Sequence, residues 1–272
     1  MNERFKQVVA EAAASNRKLA GLFLTNGFPD LASSRELLTA IDRGGADFIE
    51  LGMPFSDPLA EGLPIQRSSE RALAGGLRMA DTLETARLFR KTSETPLFLM
   101  GYANPILRYG LRSFFMDARE VGVDGVILPD VPPGESEEIL EAAGEAGLGM
   151  VQLIAPNSSD ERIRLVDQTA TGFVYAVSVT GLTGSAISSP TAVQQYLHRA
   201  RQLVTRNPLL VGFGISSRRE AESLSRFTDG FIVGSALIKH IESLWEDAGL
   251  SREARLRLTQ EFVEGLTGRS TD

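Results

Sequence analysis

Cysteine is absent from this sequence, which excludes disulfides, thiolate catalysis and cysteine-ligated metal sites. Histidine is nearly absent. His198 and His240 are the only two, and both fall in helical patterns expected on an outer layer, so no metal-ligand cluster is legible. Lysine is scarce as well: Lys6, Lys18, Lys91 and Lys239 all lie away from the C-terminal ends of the strands described below. A Schiff-base aldolase is therefore not expected.

Positive charge is also in deficit. The formal net charge is −7 at pH 7, which leaves no basic footprint for nucleic acid or an anionic membrane. Any phosphate must then be held by local geometry. No apolar run approaches the roughly 18 residues of a membrane span. The opening stretch, "MNERFKQVVAEAAASNRK", reads as an amphipathic helix without the apolar core of a signal peptide. The expected location is the cytoplasm.

What is present is an alternation. Short β-branched or aromatic runs occur at 21–26 ("GLFLTN"), 47–52 ("DFIELG"), 96–101 ("PLFLMG"), 124–130 ("DGVILPD"), 149–155 ("GMVQLIA"), 172–178 ("GFVYAVS"), 208–214 ("PLLVGFG") and 229–235 ("DGFIVGS"). Helical patterns stand between them, at 33–43, 81–91, 135–146, 160–168, 190–204 and 218–226, often opening on acidic or hydroxyl residues. Such alternation predicts a parallel sheet with helical crossovers. Eight units closing on themselves give a (β/α)8 TIM barrel, with an open doubly wound sheet as the competitor. No Pro/Gly/Ser-rich linker divides the 272 residues, so residues 1–272 read as one domain with an extra N-terminal helix.

Two connections, 53–66 and 179–189, are too long for simple turns, and both follow C-terminal strand ends, where barrel active sites lie. Side chains alternate along a strand, so Phe48 and Glu50 point into the barrel and Ile49 and Leu51 face the helices. Glu50 is then either a rim carboxylate paired with an arginine or a general acid/base with a pKa raised by desolvation. Glu61, on the loop over the same mouth, is either solvated or a second functional carboxylate. "GFGIS" (212–216) follows the seventh strand and "VGSA" (233–236) follows the eighth and opens a helix. Glycine lets backbone N–H groups approach an anion, and these are the loops where barrels bind phosphate. "VTGLTGS" (179–185) adds glycine and threonine from the loop after the sixth strand. Together they describe a barrel enzyme acting on a phosphorylated small molecule with two carboxylates. If it cleaves a C–C bond, the substrate must supply the electron sink, as an indole ring does when protonated at C3.

"ELGMPFSDPLAEG", "GYANPILRYG", "GVILPDVPPGE", "APNSSDERI", "VYAVSVTGLTG", "GFGIS" and "VGSALIK" resemble, in order and spacing, the tryptophan synthase alpha chain family. The resemblance runs from about residue 20 to 245. It implies cleavage of indole-3-glycerol phosphate to indole and glyceraldehyde 3-phosphate. It further implies no cofactor in this chain, and a beta-chain partner, in an alpha2-beta2 complex, that holds pyridoxal phosphate and receives the indole. By the same resemblance Glu50 matches the acid/base at indole C3, and Glu61 stands where the family usually has an aspartate that engages the indole N–H. Phe23 and Tyr175 match pocket residues, and Thr183 matches a loop threonine that contacts that aspartate. Gly184, Phe213, Gly214, Gly234 and Ser235 match the phosphate site, while Asp57, Asn104 and Pro132 match positions facing the beta chain. The family's common "ADGPTIQ" is here "AEGLPIQ", a longer acid with the proline shifted by one. A stand-alone lyase and a mainly allosteric phosphate-binding subunit are the alternatives.

Overall fold

Strands buried on both faces need near-continuous apolar sequence, and a parallel sheet wrapped by helices is where such strands occur. The computed structural model describes residues 2–58, 61–135, 137–177, 190–212 and 214–269. In chain order the first half holds α1 (Glu3–Ala14), β1 (Leu19–Thr25), α2 (Leu31–Arg43), β2 (Phe48–Gly52), α3 (Leu63–Ala74), α4 (Met79–Arg90), β3 (Leu97–Met100), α5 (Ala103–Tyr109), α6 (Leu111–Glu120) and β4 (Gly125–Ile127). The second half holds α7 (Glu137–Ala146), β5 (Gly149–Ile154), α8 (Asp160–Thr169), β6 (Val174–Val177), α9 (Pro190–Leu203), β7 (Leu209–Gly212), α10 (Arg218–Leu224), β8 (Gly230–Val233), α11 (Ser235–Glu246) and α12 (Arg252–Thr267). The strands close in sequential order, β8 pairing back onto β1, every neighbour parallel. The (β/α)8 barrel expected from the alternation is present, and the open sheet is excluded.

The N-terminal helix does more than precede the barrel. Phe5 of α1 is fully buried and meets three inward phenylalanines, Phe48 of β2, Phe98 of β3 and Phe173 before β6. All six ring pairs among the four lie at centroid distances of 5.1–5.7 Å. Edge-to-face and tilted pairs of this kind add about 0.5–1.5 kcal/mol each beyond their buried area. The helix thus plugs the N-terminal end of the barrel. Two glycines make the cluster possible: a Cβ on Gly21 would run into the Phe48 ring, and one on Gly125 would lie 2.6 Å from Phe98 Cε1.

Aspartates that precede three even-numbered strands fasten the same end. Asp47 accepts the Ala20 N–H at 2.8 Å, Asp124 the Leu97 N–H at 2.8 Å and Asp229 the Leu209 N–H at 2.7 Å. Each also meets arginine: Asp47 meets Arg17 and Arg269, Asp124 meets Arg90 and Arg4, and Asp229 meets Arg201.

Several of the bounds expected from the sequence shift in the structure. The connection after β2 ends at Gly62 instead of reaching residue 66, because α3 already begins at Leu63 with Pro64 in its first turn. There proline's missing N–H costs nothing and its fixed φ suits the helix. The helix read at 218–226 stops at Leu224 and tightens into a 3-10 turn over Ser225–Phe227. The second long connection, 179–189, lies outside the described residues.

Candidate active site

Glu50 is carried by β2 with its side chain inward, as strand alternation requires, and is 1% exposed. Its Oε1 has no hydrogen-bond partner, and no arginine or lysine pairs with the carboxylate among the described residues. The rim ion pair weighed from sequence is therefore absent. A buried polar atom left unpartnered is costly in a folded protein, and the atom here faces a cavity.

That cavity, of 230 Å³, opens at the C-terminal end of the barrel. Glu50, Phe23, Met100 and Tyr175 form its floor, Glu61 and Ile65 come from the β2–α3 side, and Gly214, Gly234, Ser235 and Lys239 come from the β7 and β8 side. Glu61 is half-buried just before α3. Its N–H donates to the Pro58 carbonyl at 3.1 Å, and its own carbonyl accepts from Gln66 Nε2 at 2.8 Å. The helix start therefore fixes the backbone that carries this acid.

The electrostatics separate these carboxyls from ordinary surface acids. Burial, with the nearby charge of Glu61 second, pushes Glu50 up to about 8, and burial pushes Glu61 up to about 7. Near neutral pH the pair keeps at least one proton in the cavity. Burial first, then Glu50 and Glu61, also raise the Tyr175 phenol well above its usual value, so it remains a hydroxyl. Gly212 lets that hydroxyl approach β7, since a Cβ there would collide with it.

The other side of the cavity suits an anion. Gly214 has φ +81°, a left-handed conformation that glycine adopts without strain. Helix α11 starts at Ser235 after Gly234, and α3 starts after Gly62, and neither start is capped by a side chain. A Cβ on Gly62 would lie 3.6 Å from Ser235 Oγ, so the two helix N-termini are neighbours. Open N–H groups and the positive end of the helix dipole favour negative charge there.

Of the residues singled out from sequence, Glu50, Glu61, Phe23, Tyr175, Gly214, Gly234 and Ser235 line one cavity. Thr183, Gly184 and Phe213 lie outside the described residues. Asp57, Asn104 and Pro132 are on the segments after β2, β3 and β4, around the same mouth, with Asp57 and Asn104 exposed. Met100, Ile65 and Lys239 were missed. Lys239 lies on a helix and not at a strand end, as read, yet four residues after Ser235 it shares that residue's helix face, the signal that could have found it.

Such a cavity at the C-terminal mouth of a (β/α)8 barrel, with two carboxyls facing two open helix starts, has the form of a barrel-enzyme active site. The family model described as tryptophan synthase alpha chain matches residues 9–266. The alpha chain of Geotalea uraniireducens is 44% identical over 244 residues, covering 90% of this chain and 91% of that one. That of Dehalococcoides mccartyi is 42% identical over 231 residues, covering 85% and 90%. Among solved structures, the Legionella pneumophila alpha subunit superposes with TM-score 0.87 at 36% identity over 99% of this chain and 100% of that one. A chain of the Pyrococcus furiosus tryptophan synthase complex gives 0.82 at 39% identity over 92% and 98%. The chain belongs to the tryptophan synthase alpha chain family, whose members are lyases.

Proposed function

We propose that this chain cleaves indole-3-glycerol phosphate to indole and glyceraldehyde 3-phosphate, with Glu50 and Glu61 as its two working groups. The observation that carries the reading is Glu50: an unpartnered buried carboxyl aimed into a cavity it shares with a second acid. Its raised pKa keeps a proton available at neutral pH. Glu50 gives that proton to indole C3, and positive charge spreads onto the ring nitrogen. Glu61 accepts the indole N–H and stabilises this cation. The C–C bond then breaks, its electron pair returning to the ring. The neighbouring hydroxyl becomes the aldehyde carbonyl and returns its proton to the Glu50 carboxylate, so the enzyme ends as it began.

In the same reading the phosphate sits on the backbone N–H groups at Gly184, Gly214, Gly234 and Ser235, with Phe213 part of that phosphate site, Thr183 the partner of Glu61, and Phe23 and Tyr175 against the ring. Asp57, Asn104 and Pro132 face a beta chain in an alpha2-beta2 assembly, supported by their place around the mouth and by the Pyrococcus furiosus structure, which is of a complex. The pyridoxal phosphate belongs to that partner, no cofactor to this chain. The whole chain acts as one domain in the cytoplasm. No helix among the described residues is long and apolar enough to cross a membrane. The test is indole release with and without a beta chain from the same source. Indole formed alone and accelerated by the partner is expected, because docking favours closed loops. No indole in either case overturns the reading.

A further inference from the structure

We infer that Lys239 is the cation that recognises the phosphate end of the ligand, and that it makes this cavity discriminate phosphorylated from unphosphorylated substrates. The inference rests on the proposed function and adds a residue to it. Lys239 is the single basic side chain among the described residues lining the cavity. It stands four residues after Ser235 on α11, and helical side chains lean toward the N-terminus, which brings its stem back over the turn holding Ser235. Its ammonium has no hydrogen bond or ion pair among the described residues, although Glu242 lies three residues further on, a spacing at which helical partners meet.

Three further points favour an anionic ligand for this exposed lysine. Lys6 is tied to Glu3 and Lys18 to the Thr228 carbonyl, while Lys91 and Lys239 are exposed and without a hydrogen bond or ion pair among the described residues, and of these two Lys239 borders this cavity. The start of a helix favours negative charge, so α11 gains nothing from a cation near its own N-terminus, but a bound anion does. The cavity also contains two carboxyls, in a chain of net charge −7, so a cation beside the open helix starts adds to the attraction that their N–H groups offer a phosphate dianion. The unpartnered, buried Glu50 Oε1 is independent support for a ligand in this same space.

The experiment measures glycerol 3-phosphate binding by calorimetry, and kcat and KM for indole-3-glycerol phosphate, for the parent, Lys239→Met, Lys239→Gln and Lys239→Arg. Hydrogen bonds to charged groups are commonly worth enough for roughly 10–100-fold in affinity. The Kd and KM of both neutral variants should rise by about that factor, with the loss falling on KM more than kcat. Lys239→Arg should recover most of it, and added salt should weaken the parent more than the neutral variants. Lys239→Gln keeps a polar tip, so a loss shared with Lys239→Met cannot come from new apolar surface. Glycerol 3-phosphate affinity within twofold of the parent in both neutral variants overturns the inference, as does a parent that does not bind it. Lysine-dependent binding by a parent that releases no indole would instead sink the proposed function and leave the inference standing.

Discussion

The two ends of this barrel treat the same chemical group in opposite ways. At the N-terminal end Asp124 is fully buried, yet the Leu97 N–H, Arg90 and Arg4 all surround it. Burial raises its carboxyl, and those three partners pull against the rise. At the C-terminal end Glu50 is equally buried, nothing opposes the burial, and the charge of Glu61 adds to it. A carboxylate surrounded by donors is fixed as an ion and holds backbone in place. One stripped of donors keeps a mobile proton and leaves room for a ligand to complete its contacts. Conserving stability and enabling chemistry thus call for opposite second neighbours around one functional group.

The strongest way to break this comparison is Glu50→Gln. The amide keeps shape and loses the titrating proton, so indole release should fall by about 10²–10⁴, with the fold unchanged by circular dichroism. Stability should move the other way. A carboxyl with a folded pKa near 8 against 4.5 unfolded binds more protons folded than unfolded, so its contribution declines as pH rises between those values. The parent should therefore lose stability from about pH 4.5 to about 8, and Glu50→Gln should flatten that slope. A fully active variant, or an unchanged slope in denaturant titrations, would dissolve the contrast at its upper end.

Next comes the lower end. Asp124→Ala removes the carboxylate and leaves Arg90, itself largely buried, without its counter-ion and Leu97 without its acceptor. Breaking a buried pair from one side costs about 3–5 kcal/mol. The expected result is a large drop in the urea midpoint, with kcat for the still-folded enzyme near that of the parent. A loss of kcat at intact stability would show that the two ends are not separate in role.

A third measurement sharpens the anion side of the mouth. Alanine at Gly214 is a poor control, because φ +81° strains any ordinary side chain whatever the space around it. Asparagine tolerates that conformation and matches aspartate in shape. Gly214→Asp should therefore bind glycerol 3-phosphate roughly tenfold or more weakly than Gly214→Asn, from like-charge repulsion alone. Equal affinities by calorimetry would remove the electrostatic argument for this turn.

The upper end was more legible in the sequence than the lower. Eight apolar runs between helical patterns gave the barrel, and period-two alternation pointed Glu50 inward, because both signals are local. The fastening of the lower end is long-range. Arg269 reaches Asp47 across 222 residues and Arg4 reaches Asp124 across 120, and no spacing rule links such pairs. The same holds for Phe5, whose role as a plug depends on strands that come later in the chain. Lys239 was hidden for a different reason: its helix face becomes cavity wall only because the start of α11 docks beside α3.

The smallest expected effect concerns Glu61, where the resemblance drawn from the sequence implies an aspartate in most of the family. The structure ties the backbone of this acid to the start of α3. Leu63 and Pro64 form the first turn of α3, Gly62 precedes it without a side-chain cap, and Gln66 of the same helix holds the Glu61 carbonyl. Proline at the second helical position fixes its own φ and restricts Leu63, so the helix start sets where the Glu61 backbone stands and how long a side chain must be to reach the ligand. Glu61→Asp shortens the reach by about one C–C bond and should lower kcat/KM several-fold, although it restores the family's residue. Leu63→Pro with Pro64→Thr moves the proline back to the family's position and should by itself also lower activity. Combined with Glu61→Asp, the pair should recover part of the loss, with a coupling of about 0.5–3 kcal/mol, as residues sharing one geometry give. Strictly additive losses in kcat/KM would mean that the acid and the helix start vary independently. Glu61→Gln sets the scale for the series: a neutral amide stabilises a cationic ring poorly, so full activity in that variant would remove Glu61 from the chemistry and leave Glu50 as the one working carboxyl of the upper end.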